Sequence, residues 1–453
     1  MYRSIHTLSV MTILLGVAGC WTMQDSPPLA SRGVPEPAGS IAKTPTVALN
    51  AEPTSAVTLR EAAALALMHN PRLAVVSLER RVAEARRLQA SLPPNPELAV
   101  EIESLAGRGQ RSGFDGAETT VSLGQLIERG GKRDKRVRAA SLDVELAEWD
   151  LESQRLDTLH EVTQAFVRLL AAQERLSLAG QLHDLSGEAQ SAVAQRVEAG
   201  KDSAVDALRA DVALSHSRIE LQKATHALAA ARRNLAATWG SRAASFERAA
   251  GDFYVVAAPP AIMDVNEVIA ANPDLARWAT EQKQRRAALD LEKAQANADI
   301  TVAAGVQRFE ETDDSAFLVS LALPIPLFDR NQGRIEEAAA NLAKARQGHQ
   351  AVETEMAALL GRALNELAAA HEETEILQTD VLPKAQQAFE AAQQGYREGK
   401  FDYLYVLDTQ RTFFETKVQY IDAVEACHLS RADGERLMGQ ALDVDQPRAD
   451  REG

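Results

Sequence analysis

Hydrophobic residues recur at helical spacing over two very long stretches of the chain, about 132 to 198 and about 331 to 397. Steps of three and four residues place such side chains on one helix face, as in a coiled-coil seam. The spacing is seen at Leu142, Leu146, Trp149, Leu156, Leu159, Val162, Phe166 and Leu169, and again at Val352, Met356, Leu359, Ala363 and Leu367. At 1.5 Å per residue, each stretch predicts a helix about 100 Å long.

A glycine ends each long helix, Gly200 in the first half of the chain and Gly399 in the second. A shorter helical stretch follows each glycine and predicts a return helix. Each half also opens with a predicted helix, over roughly Leu59 to Leu92 and from near Val265. Two short helices placed end to end can therefore flank one long helix.

Two short stretches in each half alternate between hydrophobic and polar residues, which is typical of β-strands. They contain Leu98, Val100, Ile102, then Thr119, Val121, Leu123, then Ile300, Val302, Ala304, Val306, and finally Phe317, Val319, Leu321, Leu323. Four strands cannot close a barrel, because unpaired strand edges cannot face lipid. The pattern predicts a membrane barrel shared by several chains. The alternative is a pair of β-hairpins that cap a soluble helical bundle.

Several short sequences recur about 200 residues apart. The pairs are Asn70-Pro71-Arg72-Leu73 with Asn272-Pro273-Asp274-Leu275, Val121-Ser122-Leu123 with Val319-Ser320-Leu321, Gly200-Lys201 with Gly399-Lys400, and Trp239-Gly240 with Met438-Gly439. Because their order is the same in both halves, they indicate an internal tandem duplication. We expect one repeat at residues 58–250, a second at 251–440 and a flexible polar tail at 441–453.

Composition excludes several classes of protein. The 453 residues carry a formal charge of −15, with 49 basic and 64 acidic side chains, so we expect no nucleic-acid partner. The two cysteines, Cys20 and Cys427, cannot build a disulfide framework or a four-cysteine zinc site. We expect Cys427 to be a buried structural residue.

The first residues predict export from the cytoplasm. A short basic start and an apolar run from Leu8 to Gly19 are typical of a signal peptide, here residues 1–19. The run ends in Val17-Ala18-Gly19-Cys20, which resembles the lipobox of bacterial lipoproteins and implies lipidation of Cys20. The alternative is an ordinary signal peptide with an incidental cysteine. Residues 20–57 are rich in proline and small polar residues, which predicts an extended lipidated tether.

No catalytic motif is found in the sequence. It contains no phosphate loop, nucleophile elbow, Cys-x-x-Cys or His-Glu-x-x-His. The nine histidines are scattered, and no two of them have the spacing of metal ligands on a helix. We therefore expect a protein that is not an enzyme and that has no metal site and no cofactor.

From residue 58 to residue 440, the chain resembles the TolC-like outer-membrane efflux family. The resemblance is carried by Thr58-Leu59-Arg60-Glu61-Ala62, Asn70-Pro71, Leu92-Pro93-Pro94-Asn95-Pro96, Gly130-Gly131-Lys132-Arg133 and Leu323-Pro324-Ile325-Pro326-Leu327-Phe328-Asp329-Arg330-Asn331-Gln332-Gly333. The last of these is the most specific. These sequences are similar to those of the heavy-metal (CzcC-like) branch, the outer-membrane components of resistance-nodulation-division efflux systems.

The resemblance implies a mainly α fold with a small β part. In this family three chains form one conduit, with a shared barrel of about twelve strands in the outer membrane and a long α-helical barrel in the periplasm. It also implies export of heavy-metal cations together with a periplasmic adaptor protein and a proton-driven inner-membrane pump. The alternatives are an outer-membrane duct for organic drugs and a non-conducting, lipid-anchored periplasmic scaffold.

The resemblance further implies that the two reversals after the long helices are the closed, adaptor-contacting end of the conduit. The residues concerned are Gly200, Lys201, Gly399 and Lys400. It implies that carboxylates near these reversals ring the pore, and Asp206 matches such a position. In the second half Tyr405 has the equivalent offset, and Asp408 is the nearest match.

Carboxylates that converge at a pore repel one another unless cations neutralise them. We expect Asp206 and Asp408 to pair with Lys201, Lys400 or Arg397 in the closed state, or else to bind metal. The alternative is that both are exposed carboxylates at helix starts, outside the pore. Asp202 and Asp402 also lie near helix starts, where the helix dipole alone favours a negative charge.

Overall fold

A computed structural model describes residues 54–109, 113–260 and 265–440, so Cys20, the predicted signal peptide, nearly all of the tether and the tail lie outside the described residues. Helices dominate, and the sheet part is small, as predicted. In chain order the elements are β1 (Ala56–Val57), α1 (Leu59–His69), α2 (Pro71–Ser91), β2 (Glu97–Glu103), β3 (Glu118–Ile127), α3 (Lys132–Glu198), α4 (Ala204–Ala237), β4 (Arg248–Ala249), α5 (Val265–Ile269), α6 (Pro273–Gln295), β5 (Ile300–Phe309), β6 (Asp314–Ala322), α7 (Gln332–Ile376), a π-helical turn (Leu377–Val381), α8 (Leu382–Arg397) and α9 (Tyr403–Met438).

The first long helix is confirmed and the second is not continuous. Helix α3 runs for 67 residues without interruption. In the second half, a π-helical turn separates α7 from α8. Pro383 lacks the N–H that an α-helix would need at this point. One turn of wider hydrogen bonding, in which the Leu382 N–H donates to the Leu377 carbonyl, lets the chain continue as α8.

The predicted opening helix over 59–92 is wrong, because the chain breaks at Asn70. Asn70 has an extended backbone, and its side-chain oxygen accepts from the N–H groups of Arg72 (2.8 Å) and Leu73 (3.1 Å). Pro71 follows as the first residue of α2, where the missing N–H costs nothing. An Asn-Pro pair therefore ends one helix and starts the next.

The same contact joins helix ends in both halves. The Asn70 amide donates to the Thr238 carbonyl at 2.8 Å, and the Asn272 amide donates to the Arg436 and Leu437 carbonyls at 3.0 and 2.9 Å. Both asparagines are buried. Each fixes the start of a short helix against the end of a return helix, so the two short helices meet end to end, as the lengths predict.

The strand-to-helix corner before α3 explains the Gly-Gly-Lys sequence. Gly130 and Gly131 have positive φ angles of 72° and 67°. A Cβ at Gly130 would come within 2.6 Å of the Asn297 side chain. The buried Lys132 ammonium then binds the Asp299 carboxylate at 2.7 Å, directly before β5. This contact positions the first strand of the second half against the first helix corner.

The four longer strands form one antiparallel sheet in the order β2-β3-β5-β6, which confirms the four predicted strands. Strands β1 and β4, a parallel pair of two residues each, were not predicted. Within the described residues, β2 pairs only with β3 and β6 only with β5. Both outer edges of this sheet therefore offer free backbone groups.

One face of the sheet is apolar. Paired residues across the strands form two apolar rows, Leu98-Leu123-Ala304-Val319 and Val100-Val121-Val306-Phe317. The other face carries small or polar residues such as Ser122, Gly305 and Gln307. Phe317 is 93% exposed and Val319 is 76% exposed, so this chain alone does not cover the apolar face.

We expect Gly305→Ala to disrupt the sheet and Gly124→Ala to be tolerated. A Cβ at Gly305 would lie 2.4 Å from the Val121 carbonyl oxygen, so β3 and β5 would have to separate. A Cβ at Gly124 would meet Ala303 at an ordinary 3.6 Å. Overpacking of this kind costs about 1 to 3 kcal/mol. Thermal unfolding of the purified variants in detergent measures the difference, and equal melting temperatures would contradict the expectation.

Buried side chains form two main clusters along the helices. The first joins α3, α4, α8 and α9 through Phe166, Leu235, Phe389 and Val424 among others. The second joins α5, α6 and α7 to the end of α9 and includes Leu360 and Cys427. Cys427 is buried, as predicted, and burial raises the pKa of its thiol to about 11. It is therefore a structural residue that stays protonated at neutral pH.

Candidate functional site

The two turns after the long helices have the same backbone geometry. Gly200 and Gly399 have φ angles of 69° and 75°, a conformation that glycine adopts without strain. The Lys201 N–H donates to the Arg196 carbonyl at 2.8 Å, and the Lys400 N–H donates to the Gly395 carbonyl at 2.7 Å. These are the closing bonds of a glycine-terminated helix. The backbone of each repeated Gly-Lys pair thus forms the turn that ends its helix.

The side chains of the two turn lysines are exposed. The Lys400 ammonium lies 2.5 Å from the Glu398 carboxylate, within its own turn. Hydrogen bonds from Lys400 and Gln394 lower the pKa of Glu398. Lys201 is exposed. Both lysines are available to another molecule at this end of the chain.

Asp202 connects the first turn to the second helical hairpin. Its carboxylate accepts two hydrogen bonds from the Arg196 guanidinium, at 2.9 and 3.1 Å, and one from the Tyr396 hydroxyl. Tyr396 lies at the end of α8 and the other two residues lie at the first turn. The Asp202 side chain is only 10% exposed. It is therefore held by specific partners rather than by the helix dipole alone.

The charges of this group stabilise one another. Hydrogen bonding to Arg196 lowers the pKa of Asp202. Burial raises the pKa of Tyr396, and its hydrogen bond to Asp202 adds to that effect. The guanidinium of Arg196 also lies over the Tyr396 ring, 4.5 Å from its centroid, in cation–π geometry. We call Arg196, Asp202 and Tyr396 the turn network.

Asp206 lies next to this network, at the start of α4. It forms a capping box with Ser203, in which its carboxylate accepts from the Ser203 N–H and hydroxyl. It also pairs with Arg209 at 3.2 Å. Within this chain its cation is therefore Arg209 and not Lys201, Lys400 or Arg397. Burial, together with the charge of Asp206, raises the pKa of Tyr403 to about 12.

Asp408 lies in the second turn of α9 and is exposed. The described residues show no hydrogen bond or ion pair between Asp206 and Asp408, and none between Asp408 and the cations expected for it. Asp402 is the N-cap of α9 but makes no capping hydrogen bond with its side chain. Within one chain, the two predicted pore carboxylates therefore do not contact each other.

Arg196 and Tyr396 were missed by sequence reasoning. Neither residue belongs to a recognisable motif, and local spacing rules do not join positions 200 residues apart. One available signal was Tyr396 itself, a large aromatic residue three positions before Gly399, where Val197 precedes Gly200. The sequence does not show that the Tyr396 ring packs against Tyr403, at a centroid distance of 5.8 Å; only the structure does.

Apolar side chains surround the turns. Phe401 stacks on Tyr405 with a centroid distance of 5.5 Å, and both are exposed. Gly395 allows this packing, because a Cβ there would lie 2.2 Å from the Phe401 ring. On the first hairpin, Val205, Leu208 and Val212 are exposed along one face of α4. This end of the chain therefore combines exposed apolar residues with exposed lysines.

Within residues 54–109, 113–260 and 265–440, no cluster of three or more His, Cys, Asp or Glu side chains is arranged to hold a metal ion.

None of the helices in the described part of the chain is both long and apolar enough to cross a membrane.

The sequence matches the family described as Outer membrane efflux protein twice, over residues 62–241 and 265–440. It is 33% identical over 389 residues to the cobalt-zinc-cadmium resistance protein CzcC of Cupriavidus metallidurans, covering 86% of this chain and 91% of that protein. It is 26% identical over 317 residues to the nickel-cobalt-cadmium resistance protein NccC of Alcaligenes xylosoxydans xylosoxydans, covering 70% and 71% of the two chains.

Solved structures share the fold at low sequence identity. Crystal structures of CusC, which concern folding and transmembrane channel formation, superpose with a TM-score of 0.74 at 17% identity, covering 84% of this chain and 92% of that chain. The outer membrane protein VceC from Vibrio cholerae superposes with a TM-score of 0.71 at 17% identity, covering 85% and 97%. The chain belongs to the outer membrane efflux protein family, whose members are channel and transport proteins rather than enzymes.

Proposed function

We propose that this protein is the outer-membrane conduit of a tripartite, proton-driven efflux pump that exports heavy-metal cations. The observation that carries the proposal is the four-stranded sheet, which has one exposed apolar face, one small and polar face, and two unpaired edges. A barrel in a membrane needs an apolar outer face toward lipid, a polar inner face toward water, and edges that pair with further strands. A pair of hairpins that capped a soluble bundle would turn the apolar face toward the helices.

Three copies are proposed to complete the barrel. Each chain supplies four strands, and about twelve are needed for a barrel wide enough to pass a hydrated solute. In such a ring, β6 of one chain would pair with β2 of the next, which satisfies both free edges. The tandem duplication at 58–250 and 251–440 would give the helical part pseudo-sixfold symmetry. The matching Asn-Pro and Gly-Lys contacts in both halves support the duplication.

The proposed cargo rests on the relatives. Two of them are named for resistance to cobalt, zinc, cadmium or nickel, and one of these is 33% identical to this chain. A periplasmic adaptor protein and an inner-membrane resistance-nodulation-division pump are the proposed partners. The exposed residues around Gly200, Lys201, Gly399 and Lys400 are the surface proposed for the adaptor. A duct for organic drugs and a non-conducting scaffold remain the rival functions.

The amino-terminal proposals are independent of the fold. We propose cleavage after residue 19, lipidation of Cys20 and a tether from residue 20 that ends where β1 begins at Ala56, with the protein located in the outer membrane. Cys20→Ala is expected to remove lipid labelling and to leave the barrel able to form, because anchoring and barrel closure use different parts of the chain. Labelled palmitate in that variant would contradict the lipidation.

The conduit and its cargo are tested by two experiments. The purified protein in detergent is expected to be a trimer by native mass spectrometry and to conduct ions in planar bilayers. A stable, non-conducting monomer would favour the scaffold. Deletion of the gene is expected to raise sensitivity to cobalt, zinc and cadmium salts and to leave sensitivity to organic dyes unchanged. The opposite result would favour the drug duct.

Replacing Asp206 and Asp408 together with asparagine is expected to weaken the cation selectivity of the pore. Six carboxylates in three chains would attract divalent cations in a narrow, low-dielectric passage. Reversal potentials in a salt gradient measure the change, with Asp211→Asn, an exposed position on α4, as the control. Unaltered selectivity in the double variant would assign both residues to exposed helix starts outside the pore.

A further inference from the structure

A cavity of about 410 Å³ lies beside the π-helical turn, between α3, α8 and α9. It shares no residue with the turn network, and its α8 residues lie at the opposite end of that helix from Tyr396. Its walls come from Leu178 on α3, Leu382 and Pro383 at the start of α8, and Ile421 on α9. Pockets that hold small molecules have volumes of about 300 to 1,000 Å³. The cavity is large enough for one small organic molecule.

The π-helical turn contributes to the wall of the cavity. The π-helical turn widens the helix immediately before Pro383, and Gln378 from this turn lines the cavity. The corresponding region of the first half, in α3, is an uninterrupted helix. The helix geometry on the α8 side of the cavity therefore differs from that of the uninterrupted α3.

One cation, Lys417 on α9, lines this cavity. Its ammonium lies over the rings of Phe413 and Phe414, 4.6 and 5.5 Å from their centroids, and donates to the Gln181 side chain at 3.4 Å. Among the described residues, no carboxylate lies within ion-pair distance of it. Burial lowers the pKa of Lys417, and no nearby charge offsets that effect. A half-buried ammonium without a counter-charge is costly, so it favours an anion.

One carboxylate, that of Glu174, also lines the cavity, and it forms no ion pair with Lys417 among the described residues. Glu174 accepts a hydrogen bond at 2.9 Å from the Tyr254 hydroxyl. The Tyr254 ring stacks on Tyr420 at 5.5 Å, which fixes this wall of the cavity. Ser177 and Gln378 add neutral hydrogen-bonding groups to the lining. The lining thus combines one ammonium without an ion-pair partner, one hydrogen-bonded carboxylate, neutral polar groups and apolar side chains.

We propose that this cavity binds a small organic carboxylate, with the carboxylate on the Lys417 ammonium and the apolar body against Leu178, Leu382 and Ile421. A metal cation is disfavoured by the ammonium. A fully polar anion such as phosphate has no apolar part to contact these three side chains. The bound carboxylate neutralises Lys417, and its apolar body covers the apolar side chains of the lining.

The probe for the test is 4-fluorobenzoate, observed by fluorine NMR with the full-length protein assembled in detergent. We expect saturable binding with one site per chain. Lys417→Met is expected to weaken binding at least tenfold. Lys384→Met is the matched control, because Lys384 is an exposed lysine close to the same turn that pairs with Asp380. That variant is expected to change affinity less than twofold.

Two further measurements keep the result interpretable. Neutral 4-fluorobenzamide has nearly the same shape and is expected to bind at least tenfold more weakly. Ser177→Phe places a large side chain in the cavity and keeps the Lys417 ammonium. It is expected to abolish binding and to leave the melting temperature unchanged. The proposal is overturned by non-saturable binding, by equal affinity in Lys417→Met, or by equal affinity for the amide. It is also overturned if the protein binds no probe, and a loss of trimer stability in Lys417→Met would then assign the ammonium to a contact with a neighbouring chain.

Discussion

Replacing Asp202 with alanine is expected to open the conduit at rest. The substitution removes the acceptor for two Arg196 hydrogen bonds and for the Tyr396 hydroxyl, and so disconnects the first turn from the second hairpin. Hydrogen bonds to charged groups each contribute about 1.5 to 3 kcal/mol. The variant also leaves the Arg196 guanidinium without its counter-charge. A free-energy difference of about 1.4 kcal/mol changes an equilibrium constant tenfold. We therefore expect the ratio of open to closed channels to be at least tenfold higher in the variant than in the unaltered protein.

Planar-bilayer conductance at low voltage measures this effect directly. Asp402→Ala is the matched control, because Asp402 follows the other turn but makes no side-chain cap. Tyr396→Phe removes only the hydroxyl and is expected to give a smaller increase than Asp202→Ala. Resting conductance that is the same in Asp202→Ala and in the unaltered protein would show that the turn network does not close the pore.

The same network predicts how conductance depends on pH. The pKa of Asp202 is lowered from its ordinary value of 3.8, chiefly by the Arg196 hydrogen bonds. A lowered pKa means that the stabilisation is present above pH 3.8 and is lost as the pH falls through the lower, folded-state value. Between pH 5 and 8 this link is therefore constant. A step in resting conductance within that range would have to come from another group.

Arg436→Ala is expected to lower the stability of the protein strongly. Arg436 lies near the end of α9, and its side chain is 14% exposed. Its guanidinium binds Asp157 on α3 at 2.6 Å and Asp274 on α6 at 2.8 Å, and its carbonyl accepts from Asn272. Burial alone would lower the pKa of Arg436, but the two carboxylates outweigh it, so the pKa is raised.

Removing the Arg436 guanidinium leaves the partly buried carboxylates of Asp157 and Asp274 without a counter-charge. The cost is about 3 kcal/mol, because both carboxylates keep some contact with water. Arg411→Ala is the control on the same helix, since Arg411 pairs with Glu415 in an exposed i,i+4 arrangement worth less than about 1 kcal/mol. Melting temperatures in detergent compare the two. Arg436→Lys is expected to recover little, because an ammonium cannot bridge two carboxylates in fork geometry.

Periodicity and repetition predicted most of the architecture. The seam of α3, the four strands and the two glycine turns follow from local spacing, because helices and strands impose their period on nearby residues. The break at Asn70 is visible afterwards in the Asn-Pro pair, yet the apolar pattern continues across it and hides it. Pro383 indicated an irregularity near the π-helical turn, but a single proline does not determine whether a helix kinks, ends or widens.

The candidate site was less predictable than the fold. Sequence comparison drew attention to Asp206 and Asp408, whereas the structure gives Asp202 the contacts that join the two hairpins. A carboxylate near a helix start has two possible partners, the helix dipole and a distant cation, and the sequence does not choose between them. Tyr396 lies almost 200 residues from Asp202, and only the tertiary packing of α8 against the first turn brings them together.

The π-helical turn makes the two hairpins mechanically unequal. It lies between the two main clusters of buried residues, so α7 is held by one cluster and α8 by the other. From this turn, the 16 residues of α8 extend about 24 Å toward Tyr396, and bending the turn by 5° would move that end by about 2 Å. The unbroken α3 has no such joint. In a trimer, stiff and compliant hairpins would alternate around the tube, so its elastic response would have threefold rather than sixfold periodicity.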